Sequence, residues 1–147
     1  LMETVIAELI QNSRLRILLF GGGSHEIQIL KGLDEKYPSV INIAGEISFK
    51  EELDLISNLD LMVSMDSANG HLATLFGVPV ITLWGVTHPY AGFTPIDQPE
   101  ENQLLANSKE FPLIPTSVYG NKYPEGYEKA IGSITPDTII NKINELL

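Results

Sequence analysis

The segment Ser64-Met65-Asp66-Ser67-Ala68-Asn69-Gly70-His71 concentrates polar groups that could do chemistry. An acid is followed by small residues, and an imidazole stands five positions after it. A helix beginning here exposes free backbone N–H groups, which bind phosphate, and small side chains let the phosphate approach. The plainer explanation is that Asp66 or Ser67 caps a helix. A cap accounts for one polar residue and leaves the others beside Gly70 unexplained. Spacing alone leaves His71 open, since a lone histidine is more often structural. A Ser-His-Asp triad would need a G-x-S-x-G elbow, which is absent. Asp66 and His71 are too few ligands for a metal site.

Three other turns carry unusual residues. In Gly21-Gly22-Gly23-Ser24-His25-Glu26 the glycines let a backbone pass close to a ligand. Glu26 stands where the dinucleotide fingerprint G-x-G-x-x-G needs its last glycine, and no Gly-Lys-Ser/Thr follows as in a phosphate loop. Glu26 is either a carboxylate favoured by a helix dipole or a partner for sugar or ribose hydroxyls. In Gly45-Glu46-Ile47-Ser48, Ile47 either staples the next helix or faces a ligand. In Gly85-Val86-Thr87-His88-Pro89, Thr87 offers a hydroxyl and an N–H to a phosphate oxygen, unless Gly and Pro only punctuate a turn.

Alternating helices and strands must position these turns. Val5, Ile6, Leu9 and Ile10 share one helical face, and Leu15 to Phe20 reads as a buried strand. Ile27, Leu30 and Leu33, with Ile29 alongside, predict a helix that stops before Pro38. Val40 to Ala44 is the next strand. Ser48 and Glu51 form a capping box opening a helix with Leu53, Ile56 and Leu59. Leu61 to Met65 is a strand. The helix after Asp66 puts Leu72, Leu75 and Phe76 inward and stops at Gly77. Val78 to Trp84 is a fourth strand. Thr135 before Pro136 caps a last helix through Ile139, Ile140 and Ile143. Such alternation predicts an α/β fold, a Rossmann-like parallel sheet with helices on both faces. Ligands of open α/β sheets bind beyond the carboxyl ends of the strands, where all four turns fall. Between His88 and Gly132 only Leu104-Leu105-Ala106 looks like a strand, and a loop so long is expected to bind something.

The 147 residues suit one domain with a core of its own. The absence of cysteine removes disulfides, thiolate zinc sites and cysteine nucleophiles. Nine Lys and Arg against 19 Asp and Glu give a net charge of −10, which disfavours nucleic acid and anionic lipid as partners. No segment reaches the ~20 apolar residues of a membrane span. The chain opens without the pattern of a signal peptide, so a cytoplasmic setting is expected.

Phe20-Gly21-Gly22 with Glu26, Asp66-Ser67 with His71, Gly77-Val78-Pro79, and Leu83-Trp84-Gly85-Val86-Thr87-His88-Pro89 together resemble the C-terminal half of glycosyltransferase family 9. That family includes the ADP-heptose:lipopolysaccharide heptosyltransferases. The resemblance runs from the first helix to about Pro89 and weakens beyond. It implies GT-B architecture, two Rossmann-like domains with the active site between them, of which residues 1–147 would be the nucleotide-sugar donor-binding domain. It implies inverting transfer of a sugar, heptose from ADP-heptose, to a lipopolysaccharide-type glycan or lipid-linked acceptor. No cofactor or metal is then expected besides the donor substrate, and peripheral association with the inner membrane is.

By resemblance Glu26 contacts donor hydroxyls, Ile47 lines the base pocket and Asp66 binds the transferred sugar. Ser67, Ala68 and Gly70 present a helix N-terminus to the diphosphate, His71 sits beside it, and Thr87 closes the phosphate side. Ala68 stands where the family usually has glycine, and Val86 where it usually has proline. Tyr119-Gly120-Asn121-Lys122 resembles a segment that has nearby cysteines in some members. The family's first strand, central in its sheet, and its loop with Thr and Lys have no counterpart before Thr4. Nor does the acceptor domain that carries the general base. The expectation is a fragment with no catalytic residue of its own, inactive alone. Lys50 and Lys122 remain as phosphate partners by charge, and read more simply as solvated surface charges. The alternatives are a non-catalytic nucleotide-binding or partner-binding α/β module, or another GT-B enzyme such as a nucleotide-sugar epimerase.

Overall fold

Strands and helices alternate in the computed structural model, which describes residues 1–147: α1 (Met2–Leu9), β1 (Ile17–Leu19), α2 (Ser24–Lys36), β2 (Val40–Asn42), α3 (Phe49–Ile56), β3 (Met62–Met65), α4 (Ala68–Leu75), β4 (Val80–Trp84), β5 (Gln103–Leu105) and α5 (Pro136–Leu146). Two compact units result, Leu1–Leu55 and Ile56–Leu147. The strands form two parallel sheets, β1–β2 and β3–β4–β5.

In the first unit Ile17 lies opposite Val40 and Leu19 opposite Asn42. Ile6, Leu19 and Val40 form the core, with Ile10, Leu30, Leu33 and Tyr37 packed against it. Helix α2 buries no residue completely, and Ile29 is 53% exposed. Its apolar stripe is therefore narrower than the sequence pattern suggested, and it ends at Tyr37, where the following proline disfavours helical backbone.

In the second unit β4 is the central strand, and all five of its residues are buried. A parallel strand flanked on both edges and covered on its faces reads as a continuous apolar run, as Val80-Ile81-Thr82-Leu83-Trp84 does. The Trp84 indole N–H donates to Gln103 Oε1 at 2.9 Å inside the core. Strand β5 begins at Gln103, one residue before the stretch expected from hydropathy. The Thr135 hydroxyl accepts from the Thr138 N–H and starts α5, which buries Ile139 and Ile143.

Helix α4 departs from expectation. Its buried residues are Gly70 and Ala73, whereas Leu75 is 73% exposed and Phe76 46%. A Cβ on Gly70 would stand 3.0 Å from Ser64 Oγ and 3.4 Å from Pro95 Cγ. Small residues thus bring the helix backbone close to β3, and Leu75, five positions beyond Gly70, falls on the opposite side at 100° per residue. The stop at Gly77 is as expected: with φ +76, it donates its N–H to Thr74 O, and Val78 donates to Ala73 O.

Candidate functional site

The carboxyl ends of β3 and β4 carry the third and fourth turns side by side. Met65 is in register with Leu83, so Asp66 and the start of α4 leave the sheet next to Trp84 and Gly85. Asp66, Ser67, Ala68 and His71 are all exposed. Ser67 occupies the N-cap position of α4 yet makes no side-chain cap. The Ser64 hydroxyl donates to Met65 O at 2.6 Å, so in the 2.9 Å contact between the two serines Ser67 is the donor. The Ser67 hydroxyl thus bonds to Ser64 and accepts no N–H of α4. The first N–H groups of α4 stay open, and the cap explanation for this polar cluster fails. Gly70 is buried against Ser64, so its smallness serves helix packing rather than an open approach for ligand.

Thr87, at the fourth turn, is only 7% exposed. The Val86 carbonyl before it accepts from both the Thr116 N–H, at 3.0 Å, and the Thr116 hydroxyl, at 3.2 Å. Neither the N–H nor the hydroxyl of Thr87 has a hydrogen-bond partner within the chain. The long loop after His88 is structured. It carries short 3-10 helices at Pro89–Ala91, Glu100–Asn102 and Tyr127–Ser133, and an edge-on Phe111–Tyr127 pair at 5.2 Å. Sequence reasoning gave Thr116 no role. Only the length and the Pro, Gly and Tyr content of the loop signalled that something there mattered.

Glu26 and Ile47 belong to the first unit. Glu26 is exposed, and its Oε2 accepts the Gly22 N–H at 2.9 Å. A Cβ on Gly21 would lie 2.9 Å from the Glu26 carboxyl carbon and 2.6 Å from Leu30 Cδ1, so this glycine lets α2 sit against the turn. The carboxylate thus both organises its own turn and keeps its second oxygen, Oε1, for another donor. Ile47 is half-buried beside the Ser48–Glu51 capping box. There Glu51 Oε2 accepts the Ser48 N–H at 2.8 Å and the Ser48 hydroxyl at 2.7 Å.

Those bonds, the Ser48 hydroxyl first, hold the Glu51 carboxyl below the ordinary carboxylate range. With the folded value depressed, the contribution of the pair is present above the unfolded pKa and is lost as pH falls through the folded one. Ser48→Ala is expected to move the Glu51 titration upward. A pH series of its side-chain carboxyl NMR signal checks this, and an unmoved midpoint would assign the shift elsewhere.

No group of three or more His, Asp or Glu side chains converges to hold a metal ion. No helix is long and apolar enough to cross a membrane.

Known proteins are similar to this chain over most of its length. Residues 4–123 match the family Glycosyltransferase family 9 (heptosyltransferase). Lipooligosaccharide heptosyltransferase 2 of Haemophilus influenzae is 31% identical over 146 residues, 97% of this chain and 40% of the relative. The Haemophilus ducreyi protein of the same name is 31% identical over 149 residues, 97% of this chain and 41% of the relative. Lipopolysaccharide heptosyltransferase 2 of Escherichia coli is 29% identical over 138 residues, 90% of this chain and 37% of the relative. The chain thus spans about two fifths of the length of these relatives. No solved structure matches it significantly.

Proposed function

Because the chain belongs to glycosyltransferase family 9, we propose that it is the nucleotide-sugar donor-binding part of an inverting heptosyltransferase. Its donor, by the resemblance to the family, is ADP-heptose; a heptosyl group and a lipopolysaccharide-type acceptor are what the relatives' names carry. The observation that carries this reading is the pairing of an uncapped α4 N-terminus with the unpartnered Thr87 N–H at adjacent strand ends. Both leave N–H groups without a partner in the chain, as an anion site would need, and helix starts favour negative charge.

In the transfer, an acceptor hydroxyl attacks the anomeric carbon of the donor sugar. A new C–O bond forms and the bond from that carbon to the β-phosphate oxygen breaks. The electron pair leaves with the nucleoside diphosphate, and the hydroxyl proton passes to a general base outside this chain. Charge growing on the diphosphate is met by the α4 N–H groups and by Thr87. Asp66 holds hydroxyls of the transferred sugar, and His71, one turn into α4, stands on the diphosphate side. Glu26 and Ile47 keep the roles the family relationship implies, donor hydroxyls for the first and the base for the second. The net charge of −10 does not exclude an anionic donor, because backbone N–H groups at α4 and Thr87 are local donors whatever the net charge, and the family's phosphate-binding Lys belongs to a loop with no counterpart in these residues. No cofactor beyond the donor is required, and the acceptor would bring the complete enzyme to the inner face of the membrane.

Titrating the complete enzyme with ADP-heptose, UDP-glucose and ADP distinguishes the readings. We expect ADP-heptose and ADP to bind and UDP-glucose to bind at least tenfold more weakly, about 1.4 kcal/mol. Failure of all three to bind would overturn the proposal in favour of a partner-binding module.

A further inference from the structure

Resting on the donor-diphosphate reading of the fourth turn, we propose that Thr116 and Gly120 form a clamp that aims the Val86–Thr87 peptide at the donor phosphate. They are positioning residues, since both act through Thr87. The Val86–Thr87 bond is trans, because the chain's one cis peptide lies at Ile114–Pro115. In a trans peptide the carbonyl and the N–H point in opposite directions. Thr116 grips the Val86 carbonyl twice, with its N–H and its hydroxyl. The Thr87 N–H is therefore turned away from the clamp and has no partner in the chain.

Gly120 secures the other side. A Cβ there would stand 2.8 Å from Thr87 Cγ2 and 3.3 Å from Val86 Cγ2, at a φ of +64 that favours glycine. Its backbone packs directly on the Thr87 methyl group, and this contact limits how the side chain can rotate. With the methyl group turned to Gly120, the Thr87 hydroxyl occupies a different position on Cβ and has no hydrogen-bond partner in the chain. The Ser117 hydroxyl accepts from the Lys122 N–H at 3.2 Å and closes the bend that presents Gly120. One segment, residues 116–122, thus restrains the peptide, the methyl group and the bend. Its work is preorganisation: the donor meets an N–H and a hydroxyl already aimed, with no ordering cost at binding.

The test is steady-state kinetics of the complete enzyme with ADP-heptose varied. Thr87→Ala is expected to raise the donor KM about tenfold, as loss of hydrogen bonding to a charged ligand does. Gly120→Ala is expected to raise it similarly, and Thr87→Ser in that background to recover most of the loss, since serine keeps the hydroxyl and removes the methyl in the way. Gly92→Ala is the matched control: φ is +86 there but nothing lies within 4 Å of the new methyl. It introduces comparable backbone strain and should leave KM unchanged. Thr116→Val should raise KM several-fold and Thr116→Ser should restore it, which keeps the clamp testable even if Gly120→Ala fails to fold. If Thr87→Ala raises KM while Gly120→Ala and Thr116→Val do not, the clamp is overturned and the donor reading stands. If Thr87→Ala itself changes nothing, the donor reading of the fourth turn falls first.

Discussion

Asp66→Ala in the complete enzyme is expected to lower kcat/KM for sugar transfer by about 10- to 100-fold, the effect of losing a hydrogen bond to a charged group. The expectation rests on the sugar-binding role proposed above for Asp66. It follows the last residue of β3, is exposed, and its side chain makes no hydrogen bond or ion pair within the chain. Its removal should therefore leave the unfolding transition in place, so that a loss of rate reads as a loss of function. Asp66→Asn refines the result. It keeps the shape and removes the charge, so a sugar hydroxyl that donates to a carboxylate loses its stronger acceptor. Turnover equal to that of the parent enzyme would remove Asp66 from the site.

Trp84 should show the largest effect on stability. It is wholly buried on the central strand and its indole is the largest side chain in the core. Trp84→Ala is expected to cost about 3–5 kcal/mol, the range for deleting a buried aromatic group. Trp84→Phe separates packing from hydrogen bonding. It keeps most of the apolar volume but leaves Gln103 Oε1 buried without its donor, which costs about 1–3 kcal/mol. Urea midpoints at constant slope measure both. A phenylalanine variant as stable as the parent would mean that the Gln103 contact contributes nothing net.

The parts of the fold legible in the sequence are those governed by near neighbours. The Ser48–Glu51 box, the Thr135 cap before Pro136 and the Gly77 stop each involve residues within five positions of one another. Their outcome hardly depends on the rest of the chain, and the structure has all three. The apolar run ending at Trp84 announced a central parallel strand for a similar reason, since burial on both faces leaves no polar alternation. Leu75 and Phe76 were misread because hydropathy says how apolar a helix face is, not which face a neighbour can reach. The close approach of Gly70 to Ser64 decided that.

The candidate site divides along the same line. The sequence by itself determined that Asp66, Ser67, Ala68, Gly70 and His71 stand at a strand-to-helix turn and that Thr87 ends a strand, because strand ends and helix starts are local. Only the tertiary structure decided that Ser67 turns to Ser64 instead of capping α4, and that Glu26 takes the Gly22 N–H. It alone brought Thr116 to Val86 across a separation of 30 residues. A contact between residues so far apart is selected by the packing of everything that joins them. No pattern of spacing in one segment can specify which peptide it will hold, or which way that peptide's N–H will point.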